Sequence, residues 1–236
     1  MSRLFSIEGN IGSGKSTLIK MLKENKDNKN IIFMEEPVSK WIEIQDTDGH
    51  NMIEKFYNNK KRYAFSFQIM AFISRLSMIK QCIKKNPNAT IICERSINTD
   101  RNVFAKMLYD DGDIEDVEYQ IYLNWFDEFI NDIPNTGIIY VKTSPKISHE
   151  RVIKRKRKGE DIPLIYLERC HLYHETWINT TDVPVLKLFG DEDKNYTNDY
   201  TLWLNIIEQF VKDYSNTNVS DNKSSLYDQY VIGMGC

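Results

Sequence analysis

The 236 residues suffice for one compact domain with a sizeable core and require no second one. A formal net charge of −3, with both signs interspersed, presents no basic face, so small-molecule substrates are expected, with no nucleic-acid and no membrane partner. Cys82, Cys93, Cys170 and Cys236 form no C-x-x-C pair, no charged segment followed by a long apolar one opens the chain, and no apolar run approaches a membrane span; a reducing cytoplasm follows.

Apolar runs at 4–7, 31–34, 90–93, 137–141 and 185–188 alternate with helical patterns, which predicts an α/β fold with a parallel sheet covered by helices on both faces. Helices are expected over 60–85, 96–109, 117–133, from 145 into the basic run 151–158, over 164–178 and over 200–214, with an acidic turn at 110–113. The domain is thus placed at 1–214. Residues 215–236 are rich in Ser, Asn and Asp and are read as a disordered tail.

In such sheets ligands bind beyond the carboxyl ends of the strands, so the residues after each run carry the functional argument. After the first run come Gly9, Asn10, Ile11, Gly12, Ser13, Gly14, Lys15 and Ser16, then Thr17. Gly9 to Ser16 fits G-x-x-x-x-G-K-[ST] between a strand and a helix. In this phosphate loop the backbone N–H groups ring the phosphates, Lys15 reaches the β/γ-phosphates and the Ser16 hydroxyl reaches Mg²⁺. The helix that follows points its positive end at the same anion.

After the second run Glu36 precedes Pro37, which keeps it extended. It reads either as a base for an incoming hydroxyl or as a surface acid at a strand end. After the third run, Glu94 suits an acid near Mg²⁺, and Arg95 suits a fork holding Glu36 and the reacting oxygen. Asp100, a little further on, reads on the residues alone as a solvated helix residue sooner than a functional one. On the long helix, Gln68, Ala71 and Arg75 share one face at i, i+3, i+7. That face suits either plain packing or a pocket where the amide meets a nucleobase edge and Phe67 or Phe104 supplies an apolar wall. Arg151, Arg155 and Arg157 in the basic run are a solvated face, a nucleic-acid patch, or a lid over a transferring phosphoryl group. Cys170, His171 and His174 lack further ligands at matching spacing and are not read as a metal site.

Taken together the motifs resemble the deoxynucleoside kinases of the deoxycytidine, deoxyguanosine and insect multisubstrate type. The resemblance runs from residue 4 to about 208 and rests on Ile7-Glu8-Gly9-Asn10-Ile11-Gly12-Ser13-Gly14-Lys15-Ser16-Thr17, Glu36-Pro37-Val38 with Trp41, Phe65-Ser66-Phe67-Gln68, Glu94-Arg95-Ser96 with Asp100-Arg101, Arg155-Lys156-Arg157, and Ile162-Pro163-Leu164 with Tyr166-Leu167. It implies a three-layer phosphate-loop kinase fold, a five-stranded parallel sheet in order 2-3-1-4-5 flanked by helices, and a basic lid.

It further implies transfer of the ATP γ-phosphoryl group to the 5′-hydroxyl of a deoxynucleoside, with Mg²⁺, by a homodimer. In that reading Glu36 is the general base, Arg95 holds it, and Glu94 lies near the metal. Gln68 pairs with the base, Trp41, Phe67 and Phe104 wall its pocket, and Tyr57 and Glu160 bind the sugar 3′-hydroxyl. Arg151, Arg155 and Arg157 are lid arginines, and Asp193 lies in the loop near the donor base, where Lys194 replaces a familiar aromatic. Because the lid segment is one residue short, Asp161 competes with Glu160 for the sugar. Ala71, Arg75 and Asp100 match the trio of the deoxycytidine and purine kinases, which implies poor acceptance of thymidine. The alternatives are a thymidylate-type monophosphate kinase and a nucleotide-binding switch.

Overall fold

The alternating side-chain directions of five short apolar strands send buried clusters to both faces of one sheet. In this computed structural model, which describes residues 2–25, 31–157, 159–191 and 199–216, the strands are β1 (Arg3–Glu8), β2 (Ile31–Met34), β3 (Thr90–Glu94), β4 (Gly137–Lys142) and β5 (Val185–Phe189). They pair only in parallel, in the order β2-β3-β1-β4-β5, with Ile7 opposite Glu94 and Phe5 opposite Gly137. Parallel sheets are buried on both faces, which is why the strands read as nearly unbroken apolar runs.

Phe5, Ile7, Ile92 and Ile139 project toward α1 (Lys15–Glu24) and α10 (Asp199–Asn216), meeting Leu18, Leu22, Trp203 and Phe210. Leu4, Ile91 and Cys93, one residue out of phase, meet Phe72 and Leu76 of α4 (Lys60–Lys85) and Tyr122 and Phe126 of α7 (Asp116–Ile130). A third cluster joins Ile138 and Tyr140 of β4 to Phe104 and to α8 (Pro145–Arg155) and α9 (Leu164–Thr180). Among the described residues no helix is long and apolar enough to cross a membrane.

Several expected boundaries change for local reasons. The helix expected over 96–109 is a composite: α5 (Ile97–Thr99), a π-helical turn Asp100–Ala105, and α6 (Lys106–Asp110). α7 stops at Ile130, short of 133, where Pro134 disfavours helix in the residue before it. α8 stops at Arg155 because Lys156 turns left-handed at φ +50°. Two short helices were not expected, α2 (Val38–Glu43) and α3 (Met52–Asn58). The second carries a reciprocal cap in which Asn51 Oδ1 accepts from Glu54 N at 3.0 Å and Glu54 Oε2 accepts from Asn51 N at 2.9 Å. α10 runs to Asn216, so the domain boundary set at 214 falls inside it. Residues 217–236 and the segment 192–198, with Asp193, lie outside the described residues.

Candidate active site

All five strands end on one side of the sheet, and the phosphate loop fills the space beyond β1. Its turns depend on glycine: Gly12 sits at φ +83°, and a Cβ there would lie 2.4 Å from the Ser148 carbonyl oxygen of α8. Gly14, at φ +102°, immediately precedes α1. Asn10 ties the loop to α9, donating through Nδ2 to the Leu167 carbonyl at 2.8 Å while its Oδ1 accepts from Ile11 N at 2.9 Å. Lys15 is buried and donates to the Asn10 carbonyl at 2.7 Å; burial, aided by the Arg95 charge, pulls its ammonium down to about 7. Ser16 Oγ donates to Glu94 Oε1 at 2.7 Å, so the two oxygen donors expected near a metal do meet.

Beside the loop, three arginine–carboxylate contacts converge. Arg75 Nη2 donates to Glu36 Oε1 at 2.6 Å, and Arg75 Nη1 donates to both oxygens of Asp100. Arg95 Nε lies 3.7 Å from the same Glu36 oxygen, and Arg95 Nη1 donates to the Gly9 carbonyl at 3.3 Å. Arg75 is 1% exposed, and although burial opposes its charge, Asp100 and Glu36 hold it firmly protonated, above the usual range. Burial pushes Asp100 up to about 6 against the pull of Arg75. For Glu36 burial acts upward too, but Arg95, Arg75, Lys15 and Arg157 outweigh it and hold the carboxyl below its ordinary range. Arg95 itself is left-handed at φ +63°, a conformation that costs a non-glycine residue about 1–2 kcal/mol.

These groups open onto a cleft of about 680 Å³, within the range of small-molecule sites. Gln68 lies inside it, 2% exposed, and its Oε1 is buried without a hydrogen bond. Trp41 and Phe67 meet edge to face at 5.8 Å, and Phe67 stacks on Phe56 at 4.5 Å. Trp41 is fixed by donating through Nε1 to Ser74 Oγ at 2.8 Å. Burial, with Glu160 nearby, raises the Tyr57 phenol above its usual range, so it stays a neutral hydroxyl. Glu160 accepts from Arg155 Nη2 and, at 2.8 Å, from Arg157 Nη1.

Every expected site residue within the described segments borders the cleft except Gly9, Asn10 and Ser13, which shape the loop from behind; Asp193 lies outside those segments. Asp161 is exposed and Glu160 faces the cavity. Asp100 is buried in the Arg75 pair, not solvated. Ile53, Phe56 and Tyr166 also line the space but were not expected there. The cap motif Asn51-x-x-Glu54 was the available signal that a helix carries Phe56 inward. His174 and Cys170 are buried side by side, the imidazole Nδ1 lying 2.7 Å from the Cys170 carbonyl. Among the described residues the one grouping with metal-ligand spacing is the largely exposed Asp46, Asp48 and His50, and Asp46 is occupied by Lys55.

Comparison with known proteins places this chain among relatives. A family model described as deoxynucleoside kinase matches residues 5–213. The chain is similar to deoxycytidine kinase 2 of Gallus gallus, 36% identical over 222 residues, covering 81% of this chain and 83% of the relative. It is 40% identical over 197 residues to a probable deoxycytidine kinase of Fowlpox virus, covering 80% and 79%. With the mitochondrial deoxyguanosine kinase of Xenopus laevis it shares 32% identity over 217 residues, covering 80% and 81%.

Proposed function

Because the chain belongs to the deoxynucleoside kinase family, we propose that this cleft transfers the γ-phosphoryl group of ATP to the 5′-hydroxyl of a deoxynucleoside. The observation that carries the reading is the placement of a buried, unpartnered Gln68 amide oxygen in the same cavity as the phosphate loop and Glu36. An uncharged nucleoside satisfies that amide through its base edge and brings its hydroxyl toward Glu36. A monophosphate acceptor needs cations where the acidic Glu36 stands, which disfavours the thymidylate-type alternative.

In the reaction, Glu36 accepts the 5′-hydroxyl proton as that oxygen bonds to the γ-phosphorus and the bond to the β-phosphate oxygen breaks. A depressed pKa keeps Glu36 ionised at neutral pH, and a loose transition state asks little basicity of it. Arg95 orients Glu36, while Lys15 and the lid residues Arg151, Arg155 and Arg157 offset the charge on the phosphates. Ser16 and Glu94 are a hard-oxygen pair suited to Mg²⁺, which when bound would neutralise the donor phosphates. Glu160 and Tyr57 would receive the sugar 3′-hydroxyl, with Trp41, Phe67 and Phe104 around the base. Beside Ala71, an Arg75 held by Asp100 would fill the space a thymine 5-methyl group needs, so deoxycytidine, deoxyadenosine and deoxyguanosine are favoured over thymidine.

The test is ATP consumption with each of the four deoxynucleosides and with their monophosphates. Strong stimulation by deoxycytidine or a purine deoxynucleoside is expected. Slow turnover indifferent to all of them would sink the reading and favour a nucleotide-binding switch.

We also infer a cytoplasmic homodimer. The free thiols Cys82, Cys93 and Cys170 agree with a reducing compartment. Val117, Ile121 and Trp125 form an i, i+4, i+8 stripe on α7 that is 66%, 41% and 51% exposed, and the neighbouring α4 exposes Ile73. Such a stripe suits a self-complementary contact between copies. Trp125→Glu should convert a dimer to a monomer in light scattering, and a wild-type chain that is already monomeric would overturn the assignment.

A further inference from the structure

The carboxylate that ends β1 has no part in the chemistry above, yet it is fully buried. Glu8 sits one residue before the phosphate loop, and both of its oxygens are taken by donors from across the β3 corner. Oε1 accepts from Ser96 N at 2.9 Å and from Ser96 Oγ at 2.8 Å, and Oε2 accepts from Thr99 Oγ1. One side chain from β1 therefore fastens the start of the helical run that carries Asp100 and Phe104. The negative charge also sits at the end of that run where exposed N–H groups favour it.

The same bonds bracket Arg95. Its own N–H donates to the Ile7 carbonyl at 3.1 Å, and the next N–H, that of Ser96, donates to Glu8. Both peptide groups flanking the Arg95 Cα are thus tied to consecutive residues of β1, and together they fix its left-handed backbone at φ +63°. An arginine relaxes readily to negative φ when nothing over-determines it. Relaxation would redirect the Cβ and withdraw the guanidinium from the Gly9 carbonyl, from Glu36 and from the Phe104 ring, whose centroid is 5.0 Å away. Closing a strand-to-helix corner does not itself require a buried charge, which is costly to desolvate. Charge-assisted bonds, stronger than neutral ones, are what holding a strained residue does require.

We propose that Glu8 is a positioning residue for phosphoryl transfer, locking Arg95 in the conformation that brings its guanidinium to Glu36. This deepens the kinase reading above and rests on it. The test is a double-mutant cycle on the full chain with Glu8→Ala, Arg95→Ala and the pair, measuring kcat and both KM values for deoxycytidine and ATP per nucleoside-binding site. Glu8→Ala should lower kcat by about 100-fold, as a misplaced catalytic group does, with the ATP KM changed less than about threefold. Glu8→Gln, which keeps an oxygen for Ser96 but loses the charge and the second acceptor, should recover only part of that loss. In the Arg95→Ala background, Glu8→Ala should cost less than about twofold, because the residue it serves is already gone.

Losses that multiply in the pair would make Glu8 a general support of the fold and overturn the role. If Glu8→Ala does not fold, Glu8→Asp keeps the charge but withdraws it by one methylene, and the same cycle decides. A wild type that phosphorylates no deoxynucleoside overturns the functional reading together with this role, whereas an active wild type with multiplying losses overturns the role alone.

Discussion

Glu36→Gln should bind deoxycytidine within about threefold of the wild type and transfer phosphate about 10²–10⁴ times more slowly, the usual contribution of a general base. Glutamine preserves the shape and an oxygen for Arg75 Nη2, which lies 2.6 Å from Glu36 Oε1, so the pocket survives while the proton acceptor does not. Single-turnover transfer together with calorimetric nucleoside binding separates these two steps. Near-normal transfer would remove Glu36 as the base. The direction of its pKa adds a second reading of the same group. Because Arg95, Arg75, Lys15 and Arg157 overcome burial and hold Glu36 below the usual carboxylate range, kcat/KM for the nucleoside at saturating ATP should show no Glu36 limb near neutral pH. An acid limb at pH 6–7 that vanishes in Glu36→Gln would contradict that electrostatic account.

The second large effect concerns Arg75 and Asp100. Arg75→Met alone strands the buried Asp100 carboxylate beside Glu36 and should destabilise the protein by about 3–5 kcal/mol. Asp100→Ala added to it removes the stranded charge and should restore much of that loss, a strong non-additivity visible in thermal melting. Burial already pushes Asp100 to about 6 with Arg75 present, so without the arginine its folded pKa rises further above the unfolded value. The folded state then binds the extra proton, and the single variant should be more stable at pH 5.5 than at pH 8, losing stability as pH rises through the folded pKa. The double variant should lack this dependence. It should also accept thymidine in competition with deoxycytidine, since the Arg75–Asp100 pair proposed to fill the 5-methyl space is gone. Unchanged discrimination would mean that Arg75 does not set base choice.

Much of this was legible in the chain because it depends on local rules. Gly12 and Gly14 announce left-handed turns before a helix, strands buried on both faces read as apolar runs, and the 26 residues of α4 contain neither glycine nor proline. What could not be read depends on distance along the chain. Arg75 meets Glu36 across 39 positions and Glu8 meets Ser96 across 88, and only the parallel pairing of β1 with β3 brings the latter together. The placement of Glu160 against Arg155 and Arg157 was missed differently: at separations of five and three residues it depends on a left-handed turn at Lys156, a residue type that does not announce one. The short helices α2 and α3 escaped because six or seven residues give too few turns for a helical period to emerge.

The π-helical turn at Asp100–Ala105 has a bearing on how such a site arises and is lost. Its wider turns carry one residue more than an α-helix spanning the same rise needs, and they run between the two side chains, Asp100 and Phe104, that face the cleft. Deleting one residue here would let the run close into regular α-helix, with better backbone bonding, and would change which side chains between Asp100 and Phe104 can face the cleft. A selection for heat resistance alone would therefore favour the shorter chain, while selection for base recognition would remove it. The irregular turn is one that stability by itself would not retain.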